Sequence, residues 1–78
     1  VVVLDPPREG AGRDVIMQIA ALQPRAIVYV ACDPAALARD TAYLEDHSYS
    51  LASLRAFDLF PMTHHIECVA LYERAEVS

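Results

Sequence analysis

Lysine, asparagine and tryptophan are absent from the 78 residues, and only two glycines and two cysteines occur. All six cations are therefore arginine, and with alanine abundant the composition speaks of a GC-rich genome more than of a function. Two cysteines, Cys32 and Cys68, both in apolar runs, are too few for a disulfide scaffold and read as free thiols in a reducing compartment. No apolar stretch reaches the roughly 18 residues needed to cross a bilayer, and no signal-peptide pattern is present. The expectation is a cytoplasmic chain with no membrane partner. Positive charge is also scarce: the formal net charge of −5 argues against nucleic-acid binding by these residues alone, because phosphates need a basic surface. Internal repeats and low-complexity segments are missing as well.

What is plentiful is apolar. Hydrophobic residues make up 55% of the chain and the mean hydropathy is +0.24. A chain this short makes at most one domain and buries only about 60% of the surface its unfolded form exposes. The apolar excess, with the abrupt start at "VVVLDPP" and no initiator Met, predicts a piece of something larger.

Residues 1 to 4, "VVVL", form a β-branched run without alternation, as expected of a strand covered on both faces, and Asp5-Pro6-Pro7 stops it. From Arg13 to Leu22 the residues Val15, Ile16, Ile19, Ala20 and Leu22 fall on one helical stripe, closed by Gln23-Pro24. "AIVYVA" at 26 to 31 is a second apolar strand. Asp33 then reads as an N-cap and Pro34 as the first helical residue, with Leu37, Thr41 and Leu44 on one face of a helix ending near His47-Ser48. This order makes the first two strands parallel, joined by a right-handed crossover. Strand-like runs at about 50–60 and 66–72, separated only by "PMTHH", can pair only in antiparallel fashion. The predicted fold is α/β, β-α-β-α-β-β, with a sheet that is mostly parallel and has one antiparallel strand. Two exposed sheet edges predict marginal stability or self-association.

Open α/β sheets bind ligands outside the carboxyl ends of their parallel strands. Asp5 and Cys32 end the first two strands there, and the reversed strand starts at that edge, bringing His64, His65 and Glu67. A thiol and two carboxylates thus converge. Cys32 stands just before a helix N-terminus, which favours a thiolate, while Asp33 and Asp5 pull the other way.

Each residue also has a plainer reading. On position alone Cys32 is more commonly a buried core thiol, and Asp5 and Asp33 are more commonly turn formers and caps. Glu67 is harder to dismiss, since an acid that begins an apolar strand either escapes to solvent or has a task. Cys68 reads as core, His64 and His65 as loop residues, Arg8 as solvated, and Met17 as a helix residue. Tyr43 and Phe60 could stack on a base, though core packing is the commoner fate.

"LDPPREGAG", "YVACDPAALARD" and "FPMTHHIECVAL" resemble, in order and spacing, the C-terminal motifs of the RNA uracil-5-methyltransferases. That family makes 5-methyluridine in tRNA or ribosomal RNA with S-adenosylmethionine. The resemblance covers nearly the whole chain and implies the C-terminal half of a Rossmann-like class I methyltransferase sheet. It implies Cys32 as the catalytic nucleophile, Glu67 as the proton-abstracting base and Asp5 as a contact to the methyl donor. Ala31 stands where a Ser commonly precedes the Cys, and Ala36 where a Thr is common after the Pro. Both are small changes beside the site. The Gly-rich strand-loop-helix of a methyltransferase and its ribose-holding acid are not among these residues. The resemblance implies that they lie upstream, so the 78 residues alone are expected to be inactive.

Other readings are a Cys/His metal module using Cys32, His64, His65 and Cys68, and a non-catalytic folding or interaction piece. Against the first stands the absence of any C-x-x-C or H-x-x-x-H pair. Against the second stands the joint presence of Asp5, Cys32 and Glu67. A cytosine-directed methyltransferase would place Pro before the catalytic Cys, where this chain has Ala31.

Overall fold

A computed structural model describes residues 1–60 and 65–75, with side chains for 1–56 and 67–75. The elements are β1 (Val2–Leu4), α1 (Gly12–Ala21), β2 (Ala26–Ala31), α2 (Pro34–Asp46), β3 (Tyr49–Phe60) and β4 (His65–Arg74). They form one four-stranded sheet in the order β1-β2-β4-β3. β1 and β2 pair in parallel, as the intervening α1 requires, whereas β4 pairs antiparallel with both β2 and β3.

The expectation of a mostly parallel sheet is corrected by this order. β4 alone runs against the other three strands, but it lies inside the sheet, where it makes two ladders instead of one. Two of the three ladders are therefore antiparallel, and the sheet is mixed.

Alternation sorts the sheet into two faces. Ile27, Tyr29 and Ala31 of β2 are buried and paired with Tyr72, Ala70 and Cys68 of β4, also buried. Ile16 of α1 and Leu37 and Leu44 of α2 join them in one core, so both helices cover the same face. Cys68 is a core thiol, as read from its apolar run. On the opposite face Val28, Val30, Val69 and Leu71 are only half-buried, and Val3 of β1 is exposed.

The helices hold two surprises for the apolar pattern. Ile16, Ile19 and Ala20 pack inward as the stripe requires, but Val15 and Leu22 are exposed. The reason is geometric: α1 ends at Ala21, so Leu22 leaves the stripe, and Val15 sits at the stripe's edge. Asp33 caps α2 as expected, its carboxylate accepting from the Ala35 N–H at 2.9 Å with Pro34 in the first turn.

The end of the sheet away from the strand carboxyl ends is closed by polar ties. The Tyr49 hydroxyl donates to the Pro24 carbonyl at 2.6 Å, and the Arg74 N–H donates to the Arg25 carbonyl at 3.2 Å. Among the described residues no helix is long and apolar enough to cross a membrane.

Candidate active site

The β2–β4 ladder ends with the pair Ala31 and Cys68. Cys32 follows Ala31 in the chain and Glu67 precedes Cys68, so each stands one residue beyond this last pair, at the same end of the sheet. Cys32 is the last residue before the cap of α2, and its thiol is exposed. The plainer reading of Cys32 as a core thiol therefore fails: Ala31 takes the helix-covered position and Cys32 falls just outside it. Glu67 is half-buried and alternates with Cys68, so it belongs to the sheet face opposite the helices.

Asp5 reaches the same end of the sheet from the other side of β2. Leu4 pairs with Tyr29, which puts Asp5 at the level of Val30, and its side chain is exposed. Strands β1 and β4 flank β2, so their backbones are separated by two strand spacings, about 10 Å. Cys32 lies between them. The sequence placed thiol and carboxylates at one edge, and the register brings Asp5, Cys32 and Glu67 there.

The hairpin overshoots this edge. β4 pairs with β3 out to Phe60 and His65, beyond the last β2 pair. The His65 backbone therefore lies past the carboxyl end of β2, while the side chains of His65 and Phe60, and all of His64, lie outside the described residues. Among the described residues no group of three or more His, Cys, Asp or Glu side chains could hold a metal ion. Arg8 is exposed, and Tyr43 is half-buried with the Arg13 guanidinium 5.5 Å from its ring centroid. That ring packs against the core, as its plainer reading had it, with a cation over it from within the chain.

Sequence reasoning missed the polar centre beneath the site. Asp40 is fully buried on α2. Its Oδ2 accepts from the Ala11 N–H at 2.7 Å and from the Tyr29 hydroxyl, and its Oδ1 accepts from the Gly12 N–H at 3.2 Å. α1 has no side-chain cap of its own, so a carboxylate from another helix satisfies its first N–H groups and complements its dipole. Neighbouring Arg39 donates to the Glu9 carbonyl. Gly10 adopts φ +93° beneath these groups and donates its N–H to the Pro7 carbonyl at 2.8 Å.

Two buried tyrosines belong to the same centre. Burial, above all, pushes the Tyr29 hydroxyl well above its ordinary range, and the Asp40 carboxylate adds to this. Tyr72 is raised too, first by burial, with its Thr41 hydrogen bond opposing and Asp40 and Glu45 adding to the rise. A signal existed: a tyrosine inside the otherwise apolar "AIVYVA" needs a partner for its hydroxyl, and Asp40 falls on the Leu37–Leu44 stripe.

Comparison with known proteins gives a consistent result. Residues 1–75 match the family described as tRNA (Uracil-5-)-methyltransferase. An uncharacterized RNA methyltransferase of Streptomyces avermitilis is 61% identical over 75 residues, covering 96% of this chain and 17% of that protein. One from Bifidobacterium longum is 60% identical over 74 residues, covering 95% of this chain and 17% of that protein. The crystal structure of Pyrococcus abyssi tRNA (uracil-54, C5)-methyltransferase in complex with S-adenosyl-L-homocysteine superposes with a TM-score of 0.80 at 38% identity, over 91% of this chain and 17% of that one. The chain thus spans about a sixth of the length of these relatives.

Proposed function

Because the chain belongs to the tRNA (uracil-5-)-methyltransferase family, we propose that it carries the nucleophile and the base for methylation of C5 of a uridine in tRNA or ribosomal RNA, with S-adenosylmethionine as donor. The observation that carries this reading is the register that brings the exposed Cys32 and Glu67 to one end of the sheet, each one residue beyond the last β2–β4 pair, Ala31 and Cys68. On this reading residues 1–78 are the C-terminal portion of one Rossmann-like catalytic domain, working in the cytoplasm. The basic surface that holds RNA lies elsewhere in the protein, since these residues are net acidic.

The residue types suit the chemistry. C5 of uracil is a poor nucleophile. The Cys32 thiolate adds to C6, and the electrons of the C5–C6 double bond move onto the O4 enolate, making C5 nucleophilic. Bound S-adenosylmethionine supplies an electrophilic methyl group. Asp5 fits a role in holding the donor, because its carboxylate is exposed at the strand end and can accept hydrogen bonds from a cationic amine. After C5 has gained its methyl, Glu67 removes the remaining C5 proton. The electron pair restores the double bond as the Cys32 sulfur leaves, and Glu67 passes its proton to solvent. A target inside folded RNA must first leave its stack.

The Gly-rich strand-loop-helix of a methyltransferase is absent from these residues, so the 78-residue chain alone is expected to transfer no methyl group. The deciding experiment is intact-mass analysis of the full-length protein incubated with S-adenosylmethionine and RNA containing 5-fluorouridine, beside Cys32→Ala. Fluorine at C5 cannot leave as a proton does, so the adduct persists. A protein–RNA adduct carrying one methyl group, lost in the variant, is the expected result. No adduct in either protein, with RNA and donor binding shown separately, overturns the proposal.

A further inference from the structure

Asp40 takes no part in the chemistry proposed above, yet it is the one charged side chain fully buried among the described residues. Its partners come from different parts of the site. The Ala11 and Gly12 N–H groups end the loop that begins at Asp5, and Tyr29 lies three residues before Cys32 on β2. Asp40 itself sits on α2, the helix that starts two residues after Cys32. Arg39 takes hold of the same loop at the Glu9 carbonyl. The loop has no slack beneath it: a Cβ on Gly10 would stand 2.6 Å from Arg39 Nη2 and 2.7 Å from Asp40 Oδ2.

Resting on the uracil-methylating reading, we propose that Asp40 is a positioning residue that fastens the Asp5 loop to the strand-helix joint bearing Cys32, and so sets the affinity for the cationic methyl donor without touching it. Every hydrogen-bond partner of its two oxygens is a donor, so an acceptor-only side chain suits the place. An amide in its stead keeps the size but turns an NH2 group toward N–H or O–H donors. Those buried donors then lose their partners, and the loop shifts to find others. A displacement of about 1 Å in a group that places a reactant is enough to cost as much as a hundredfold.

The test uses the full-length enzyme with Asp40→Asn, Tyr29→Phe, Gly10→Ala and, as a core control, Ile16→Val. KM is measured separately for donor and RNA, and the Kd for S-adenosylhomocysteine is measured by calorimetry. Asp40→Asn is expected to raise the donor KM and the S-adenosylhomocysteine Kd together by about tenfold, with the KM for RNA unchanged. Tyr29→Phe removes one bond only and shifts the same two constants by less; it serves if Asp40→Asn does not fold. Gly10→Ala reproduces the split from the loop side, while Ile16→Val lowers Tm without moving donor affinity. Equal changes in both KM values, or a lower Tm with unaltered donor affinity, overturn the positioning role. A wild-type enzyme that forms no Cys32 adduct on 5-fluorouridine RNA overturns instead the reading beneath it.

Discussion

Gly10 and Asp40 approach so closely that one added methyl on the glycine would stand 2.7 Å from the carboxylate. The glycine also holds φ +93°, a conformation L side chains rarely adopt. Gly10→Ala therefore combines backbone strain with a clash against a buried polar group, and is expected to destabilise the domain by about 2–3 kcal/mol. Gly12, at φ +84° but with open space around it, suffers the strain alone, so Gly12→Ala is the milder change. Urea denaturation of both variants checks the order.

Thiol labelling distinguishes the two cysteines. Cys32 is exposed and Cys68 buried, so a maleimide or iodoacetamide modifies Cys32 first in the native protein. Cys68 reacts only once the sheet opens. Peptide mapping of the labelled protein, with and without denaturant, shows the order of modification.

Glu67→Gln separates two steps of the proposed reaction. Without the carboxylate, addition of Cys32 and methylation of C5 proceed, but the C5 proton stays. Turnover is expected to fall about a hundredfold or more. A methylated protein–RNA adduct then accumulates on ordinary uridine RNA and is visible by mass spectrometry.

The buried tyrosines make the fold sensitive to alkali. Tyr29 and Tyr72 both have folded-state values raised above the ordinary 10.0, chiefly by burial. The native state therefore keeps protons that the unfolded chain releases above pH 10. Their contribution is fully present below pH 10 and is lost as pH rises beyond it. Tyr29→Phe is expected to give a shallower alkaline loss of stability, followed by urea denaturation across that range.

The 78 residues by themselves are expected to self-associate. β1 and β3 are the outer strands of the sheet, and Leu51, Leu54 and Val3 are exposed beside them. Sedimentation that depends on concentration in the isolated chain, and not in the full-length protein, is the expected outcome.

Much of this was legible in the sequence because local signals carry it. "AIVYVA" followed by Asp33-Pro34 specifies a strand, a cap and a helix without help from distant residues, and those elements stand where they were read. Strand order is a different matter. Nothing in "VVVL" or in "ECVALY" says which neighbour each will find, so the interior place of β4 came only with the structure. The same holds for Asp40, whose partners lie 11, 28 and 29 residues away. Val15 and Leu22 misled because a helical wheel marks neither where the helix ends, which is before Leu22, nor how much of a stripe's edge is covered, where Val15 sits. That Cys32, Glu67 and Asp5 share one sheet edge was legible from the directions in which the strands run, as the pairing register has it, whereas the roles proposed for them come from the resemblance.

The interior position of β4 also imposes an order on biosynthesis. β2 and β3 are made first but have no ladder with each other, because β4 occupies the space between them. On the ribosome the nascent sheet stays in two parts, with the open edge of β2 unsatisfied, until β4 has emerged and slid into the gap. The strand that closes the sheet is the one that bears Glu67, so a truncated translation product lacks a continuous sheet as well as the base of the proposed reaction. Quality control by proteolysis would then recognise the incomplete chain by its unzipped edge.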